Sequence, residues 1–181
     1  MPTYIALLRA INVGGRVFKM ADLRECLEAT GLRDVETYIQ TGNVRFTTSM
    51  RSKAKVEKHV ETTLQAACGF DVPTLVLTPP ELRQVYDDAL GLDSPLPGEP
   101  RRYVTFLKGT PSPEAVQAVE TTSFDGEAAT VVGNAVHVWL TVPAHKAKSY
   151  NTKAHRSIVG TTRDLKVVTK LAEIWGPRPS A

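Results

Sequence analysis

Leu7-Leu8-Arg9-Ala10-Ile11-Asn12-Val13-Gly14-Gly15 and Tyr38-Ile39-Gln40-Thr41-Gly42-Asn43-Val44-Arg45-Phe46 are the two stretches that decide how this chain folds. The first is an apolar run that breaks into a polar, glycine-bearing turn. The second turns on Thr41-Gly42-Asn43, with apolar positions on both sides. Thr3 to Arg9 reads as a strand, apolar on both faces and therefore central in its sheet. Between the two stretches Met20, Leu23, Leu27 and Thr30 follow the spacing of one helix face, and Gly31 supplies the stop. Val35 to Ile39 and Val44 to Thr47 are then the strands of a hairpin.

The same logic extends outward. Ser52 caps a helix running through Ala67, with Val56, Val60 and Leu64 recurring every four residues, and Gly69 ends it. Val72 to Leu77 is a fourth strand. Thr78-Pro79-Pro80-Glu81 is a capping box with proline just inside the helix start. Three prolines and a glycine between Asp93 and Pro100 mark a stiff linker. Beyond it the order recurs: a strand from Arg102 to Leu107, a helix capped by Ser112-Pro113, and strands 128–132 and 135–140 around Gly133-Asn134. A polar stretch, 144–157, holds a short helix, 161–163 a brief strand, and 165–175 a closing helix with Leu171 and Ile174 on its apolar face. Each half reads β-α-β-β-α-β-α, and the two hairpin glycines, Gly42 and Gly133, stand 91 residues apart. The expected fold is α+β: two ferredoxin-like plaits, 1–92 and 101–181, joined by 93–100 and related by internal duplication.

Composition sets outer bounds. With 181 residues, 42% hydrophobic and 23% charged, the chain is ordinary globular material. No run approaches a membrane span of about 18 apolar residues, and Met1-Pro2-Thr3-Tyr4 offers no basic leader, so a cytoplasmic protein is expected. Two cysteines argue against a disulfide scaffold; both read as small buried side chains. The net charge of +3 is uneven. Lys146, Lys148, Lys153, Arg156, Arg163, Lys166 and Lys170, against Asp164 alone, give 145–170 a charge of +6, and the rest of the chain sums to −3. That asymmetry points to an anionic partner.

The segment from Tyr4 to Phe46 resembles domain-of-unknown-function family 1697, a bacterial family. The matching positions are Leu8, Arg9, Ile11, Asn12, Val13, Gly14, Gly15, Lys19, Met20, Leu23, Tyr38, Ile39, Gln40, Gly42 and Asn43. Ala10 stands where the family usually has glycine, and Thr41 where it has serine. Near the end Thr162-Arg163 and Lys170-Leu171 resemble a second family block, from which Asp164 and Leu165 depart. The resemblance implies two plait-like domains and brings no established activity and no cofactor.

In a plait the strand order is 4-1-3-2, so the end of the first strand meets the start of the third. Arg9, Asn12, Gly14, Gly15, Lys19, Gln40, Gly42 and Asn43 then gather at one end of the first sheet, beside a helix N-terminus. Unpaired N–H groups, glycines that admit a close backbone approach, and an arginine able to grip an anion bidentately make this a candidate anion site. The competing reading is purely conformational: glycines serving positive φ and asparagines bonding their own turns. The basic segment is a second candidate, for nucleic acid, with Tyr150 and His155 available to stack on bases. In the second half Tyr103 and Phe106 fall on opposite sheet faces, so at most one ring serves as a platform. No catalytic signature accompanies either candidate. His59, His137, His145 and His155 match no metal spacing, and Ser149 and Ser157 sit in no nucleophile elbow. A small nucleotide-like anion or a nucleic acid is the expected partner; a small-molecule enzyme using the same loops and a protein-interaction module are the alternatives.

Overall fold

The computed structural model describes residues 1–157 and 159–177, the side chain of Ser157 excepted. The chain is α+β, with two four-stranded antiparallel sheets and six helices among the described residues. Among the described residues it divides into two compact units, 1–82 with 174–177 and 83–173. The chain passes from one unit to the other inside two helices. No helix is long and apolar enough to cross a membrane among the described residues.

In the first unit β1 (Thr3–Leu8), β2 (Arg33–Tyr38), β3 (Asn43–Thr47) and β4 (Thr74–Leu77) form a sheet in the order β2-β3-β1-β4. β1 runs antiparallel to β3 from Thr3↔Thr47 to Leu7↔Asn43, so the pairing on which the candidate site depends is present. Residues 4–8 of β1 are all buried, as a central strand requires. Helices α1 (Met20–Ala29) and α2 (Lys53–Cys68) cover one face, where Tyr4, Ala6, Leu8, Val44 and Phe46 meet Leu23, Leu27, Val56, Val60 and Leu64. Each of these buried aliphatic side chains stabilises the unit by roughly 1.5–3 kcal/mol relative to exposure.

Local chemistry fixes the ends. Ser52 Oγ accepts the Lys55 N–H, and Gly69 closes α2 at φ +80°. The capping box of α3 (Pro79–Gly91) forms as read: the Thr78 N–H donates to Glu81 Oε2 at 2.7 Å, and the Glu81 N–H returns to Thr78 Oγ1. β4 begins at Thr74, two residues later than its apolar run, because Pro73 has no N–H to give. Its outer edge is occupied by α2: Glu61 Oε1 accepts the Thr74 N–H at 2.9 Å and Glu57 Oε1 the Val76 N–H at 3.0 Å.

The second unit repeats the order as β6-β7-β5-β8, from β5 (Arg101–Leu107), β6 (Glu127–Val132), β7 (Ala135–Leu140) and β8 (Gly160–Asp164). One face packs on α4 (Pro113–Glu120), with Val119, Val136, Val138, Leu140 and Tyr103 in the cluster. Phe106, on the other face, is fully buried, so neither ring of β5 is an open platform. The polar stretch resolves into two 3₁₀ turns, Ala144–Lys146 and Ser149–Asn151, and the five-residue α5 (Lys153–Ser157). α6 (Leu165–Trp175) buries Leu171 but leaves Ile174 44% exposed, correcting its placement on the apolar face. Its last residue belongs to the first unit, where Trp175 Nε1 donates to Glu36 Oε2 at 2.9 Å.

Candidate functional site

The loop between β1 and α1 and the loop between β2 and β3 are held together at one end of the first sheet. The Leu8 N–H donates to the Gly42 carbonyl at 2.8 Å, and the Arg9 N–H to that of Pro73 at 2.9 Å. Asn12 is the clasp. Its Nδ2 donates to the Gln40 carbonyl at 2.9 Å, and its Oδ1 accepts the Phe18 N–H at 2.7 Å. Asn43 is fully buried, with Nδ2 donating to Tyr38 O and Thr41 Oγ1. Gly42 sits at φ +77°, and a Cβ there would stand 2.6 Å from Ile11 Cγ2 and 2.7 Å from Leu8 Cβ. Asn12, Gly42 and Asn43 therefore build the loops.

The remaining expected residues face outward. Arg9, Gly14, Gly15, Lys19 and Gln40 are exposed, and nothing lies within 4 Å of a Cβ placed on Gly14 or Gly15. Arg16, not singled out from the sequence, is exposed too and stands 5.2 Å from the centroid of the Phe70 ring. Two features here break local rules. Ala10, Asn12 and Ile39 have φ of +56°, +55° and +48°, three of four such non-glycine residues among those described. For β-branched Ile39 this region is a true outlier. Lys19 is the N-cap of α1, and its side chain makes no capping hydrogen bond. A cation at the positive end of a helix dipole, in place of an acceptor, is electrostatically unfavourable; Asp22 in the first turn offsets it only in part.

The basic segment divides. Lys146, Lys148, Lys153, Arg156, Lys166 and Lys170 are exposed. Arg163 is buried on β8 instead, with Nη1 donating to Thr161 Oγ1 at 2.9 Å and to the Thr162 carbonyl at 3.0 Å; burial pulls its pKa down to about 10. It belongs to the sheet and not to the surface patch. Tyr150 and His155 are also corrected. Their rings meet edge-on at 5.2 Å, and Tyr150 packs against the second unit's core, leaving no open stacking face. Glu127 ties this segment down by accepting the Lys148 and Ser149 N–H groups at 2.7 and 2.9 Å. Burial would raise its pKa, but the Ser149 hydroxyl and these N–H groups outweigh that and lower it. The side chain of Ser157 lies outside the described residues. No three His, Cys, Asp or Glu side chains gather as a metal site among the described residues.

The family model for a protein of unknown function, DUF1697, matches residues 1–137. The chain belongs to the DUF1697 family. The match spans the loop cluster and both first strands of the two sheets. The chain is also similar to a solved structure, that of the conserved bacterial protein SP0830 from Streptococcus pneumoniae. The two share 24% identity, with a TM-score of 0.73 over 97% of this chain and 98% of that one. At that identity the likeness is one of fold. No curated protein matches the chain. What sequence reading missed is the exposed Arg16, the left-handed backbone of Ile39 and the cap position of Lys19. The cap was legible: lysine immediately before a helical period, where Ser, Thr, Asp or Asn belongs, is itself a signal.

Proposed function

We propose that this DUF1697 protein binds an anionic ligand, a nucleotide or the phosphates of a nucleic acid, at the loops between β1 and α1 and between β2 and β3. Lys19 carries the reading. A lysine at an uncapped helix start, with Arg9 and Arg16 exposed in the same loop, is a charge arrangement that an anion would complete. The strained Ile39 and the Asn12 clasp support it, since strain kept at one loop cluster needs a reason beyond packing. We read each sheet with its helices as a ferredoxin-like plait, and the two as products of a duplication; the identical strand orders support this. A cytoplasmic setting fits the free Cys26 and Cys68, and burial raises the Cys26 pKa away from reactive thiolate chemistry.

Thermal-shift titration with inorganic phosphate, AMP and ATP tests the reading. Arg9→Ala should abolish protection while leaving the unliganded protein folded. Lys19→Ser is the sharper variant: it supplies a cap worth about 0.5–1 kcal/mol and so should raise the melting temperature while weakening binding. If none of the three anions protects the native chain, the reading fails. The six exposed cations of the basic segment favour a second contact with nucleic acid in the other unit. Affinity for single-stranded RNA should then fall steeply with added salt, and salt-independent binding would refute that contact.

A further inference from the structure

The second unit holds a cleft of about 690 Å³. In the first unit α1 and α2 close on one another, and Leu23, Leu27, Val56, Val60 and Leu64 are wholly buried between helix layer and sheet. The second unit has the same strand order, but its second helix is only the five-residue α5. On α4 Val119 alone is buried. The side chains facing the gap are small: Ala115 and Ala118 from α4 and Ala154 from α5, with Leu107, Pro111 and Val159 completing the apolar wall. A five-residue helix and three alanines therefore border the cleft.

The rim is polar and net basic. Lys108 follows the last residue of β5, Lys153 opens α5, and Thr110, Ser112 and Glu114 line the same cleft. The α4 start is already capped, because Ser112 Oγ accepts the Ala115 N–H at 3.2 Å. The lysines, and not that helix end, supply the attraction. A concave, mostly apolar space of this size with a few polar groups at its mouth has the dimensions of a small-molecule site. We propose that the cleft between α4 and α5 binds a small organic anion with an apolar body, its charge held by Lys108 and Lys153 and its body lying on Ala115, Ala118 and Ala154. This site is independent of the loop cluster in the first unit.

Isothermal titration of the full chain with octanoate and with phenyl phosphate tests it. One-to-one saturable binding of at least one of the two is expected. The Lys108→Gln/Lys153→Gln double variant should weaken it about tenfold. Ala118→Leu should abolish it while raising the melting temperature, because the added side chain fills the void; Ala115→Leu serves if that variant fails to fold. Arg9→Ala should leave this binding untouched, which separates it from the loop-cluster site. Binding that survives the leucine variants, binding indifferent to the lysine pair, or no saturable heat from either compound overturns the proposal.

Discussion

Glycines that look alike in the sequence have different work here. A Cβ on Gly42 would stand within clashing distance of Ile11 and Leu8, and its φ is positive, so Gly42→Ala adds backbone strain to a clash with core atoms. It should lower stability by about 2–3 kcal/mol in urea unfolding. Gly14 also has positive φ but opens onto empty space. Gly14→Ala should cost about 1 kcal/mol, the left-handed penalty alone. Asn12 would be a poor probe of binding, since removing its amide breaks two bonds that shape the loop. His137 is another residue whose setting decides its behaviour. It is buried on β7 with no partner for either ring nitrogen among the described residues, and burial, then the nearby Arg102 charge, pulls its pKa down to about 4. Asp88 pulls the other way and is outweighed. In the unfolded chain the ring titrates near 6.5. Between those values the unfolded state holds the extra proton, so stability is whole above about pH 6.5 and falls as pH drops toward 4. His137→Leu should flatten that loss, by up to about 3 kcal/mol between pH 7 and pH 4, with little change at neutral pH. An unaltered pH profile would show that His137 is not the group responsible.

Among the elements, β4 shows how a sheet edge is guarded. Its outward Thr74 and Val76 N–H groups are taken by Glu61 and Glu57, one helical turn apart on α2. The Glu57→Ala/Glu61→Ala variant should lose about 2–3 kcal/mol, a figure discounted for partly exposed carboxylates. It should also self-associate in sedimentation velocity, because the bared edge is a template for another strand. Most elements were legible from the sequence because their signals are local: Ser52 and Ser112 caps, the Thr78–Glu81 box, Gly31 and Gly69 stops, Gly133 in its hairpin. What was not legible has physical causes too. Residues 144–157 hold the expected short helix, α5, but carry no sustained apolar period, so nothing in the pattern announces the two 3₁₀ turns anchored by Glu127. Arg163 looked like surface because charge is ordinarily outside, yet on β8 its guanidinium is satisfied by neighbouring Thr161 and Thr162. The loop cluster was found from its turn residues, whereas left-handed Ile39 has no sequence signature at all.

Across the whole molecule, the contacts divide the chain inside α3 and inside α6. Residues 83–91 of α3 belong with the second unit, although they precede the proline-rich stretch, and 174–177 belong with the first, although they lie at the far end of the chain. Val85 and Ala89 are buried, and the Arg102 guanidinium donates to the Ala89 carbonyl, so the end of α3 is part of what completes the second unit. Trp175, reaching Glu36 from the end of α6, is likewise part of the first. A fragment of residues 1–92 therefore carries a piece of its neighbour and lacks a piece of itself, and 93–181 has the reciprocal defect. Neither alone should give the dispersed amide spectrum of a folded domain, and mixing them should restore it, because every missing contact is supplied by the other fragment. A well-dispersed spectrum from either piece by itself would mean that these exchanged helix ends are dispensable, and that each half holds its fold by its sheet and first two helices alone.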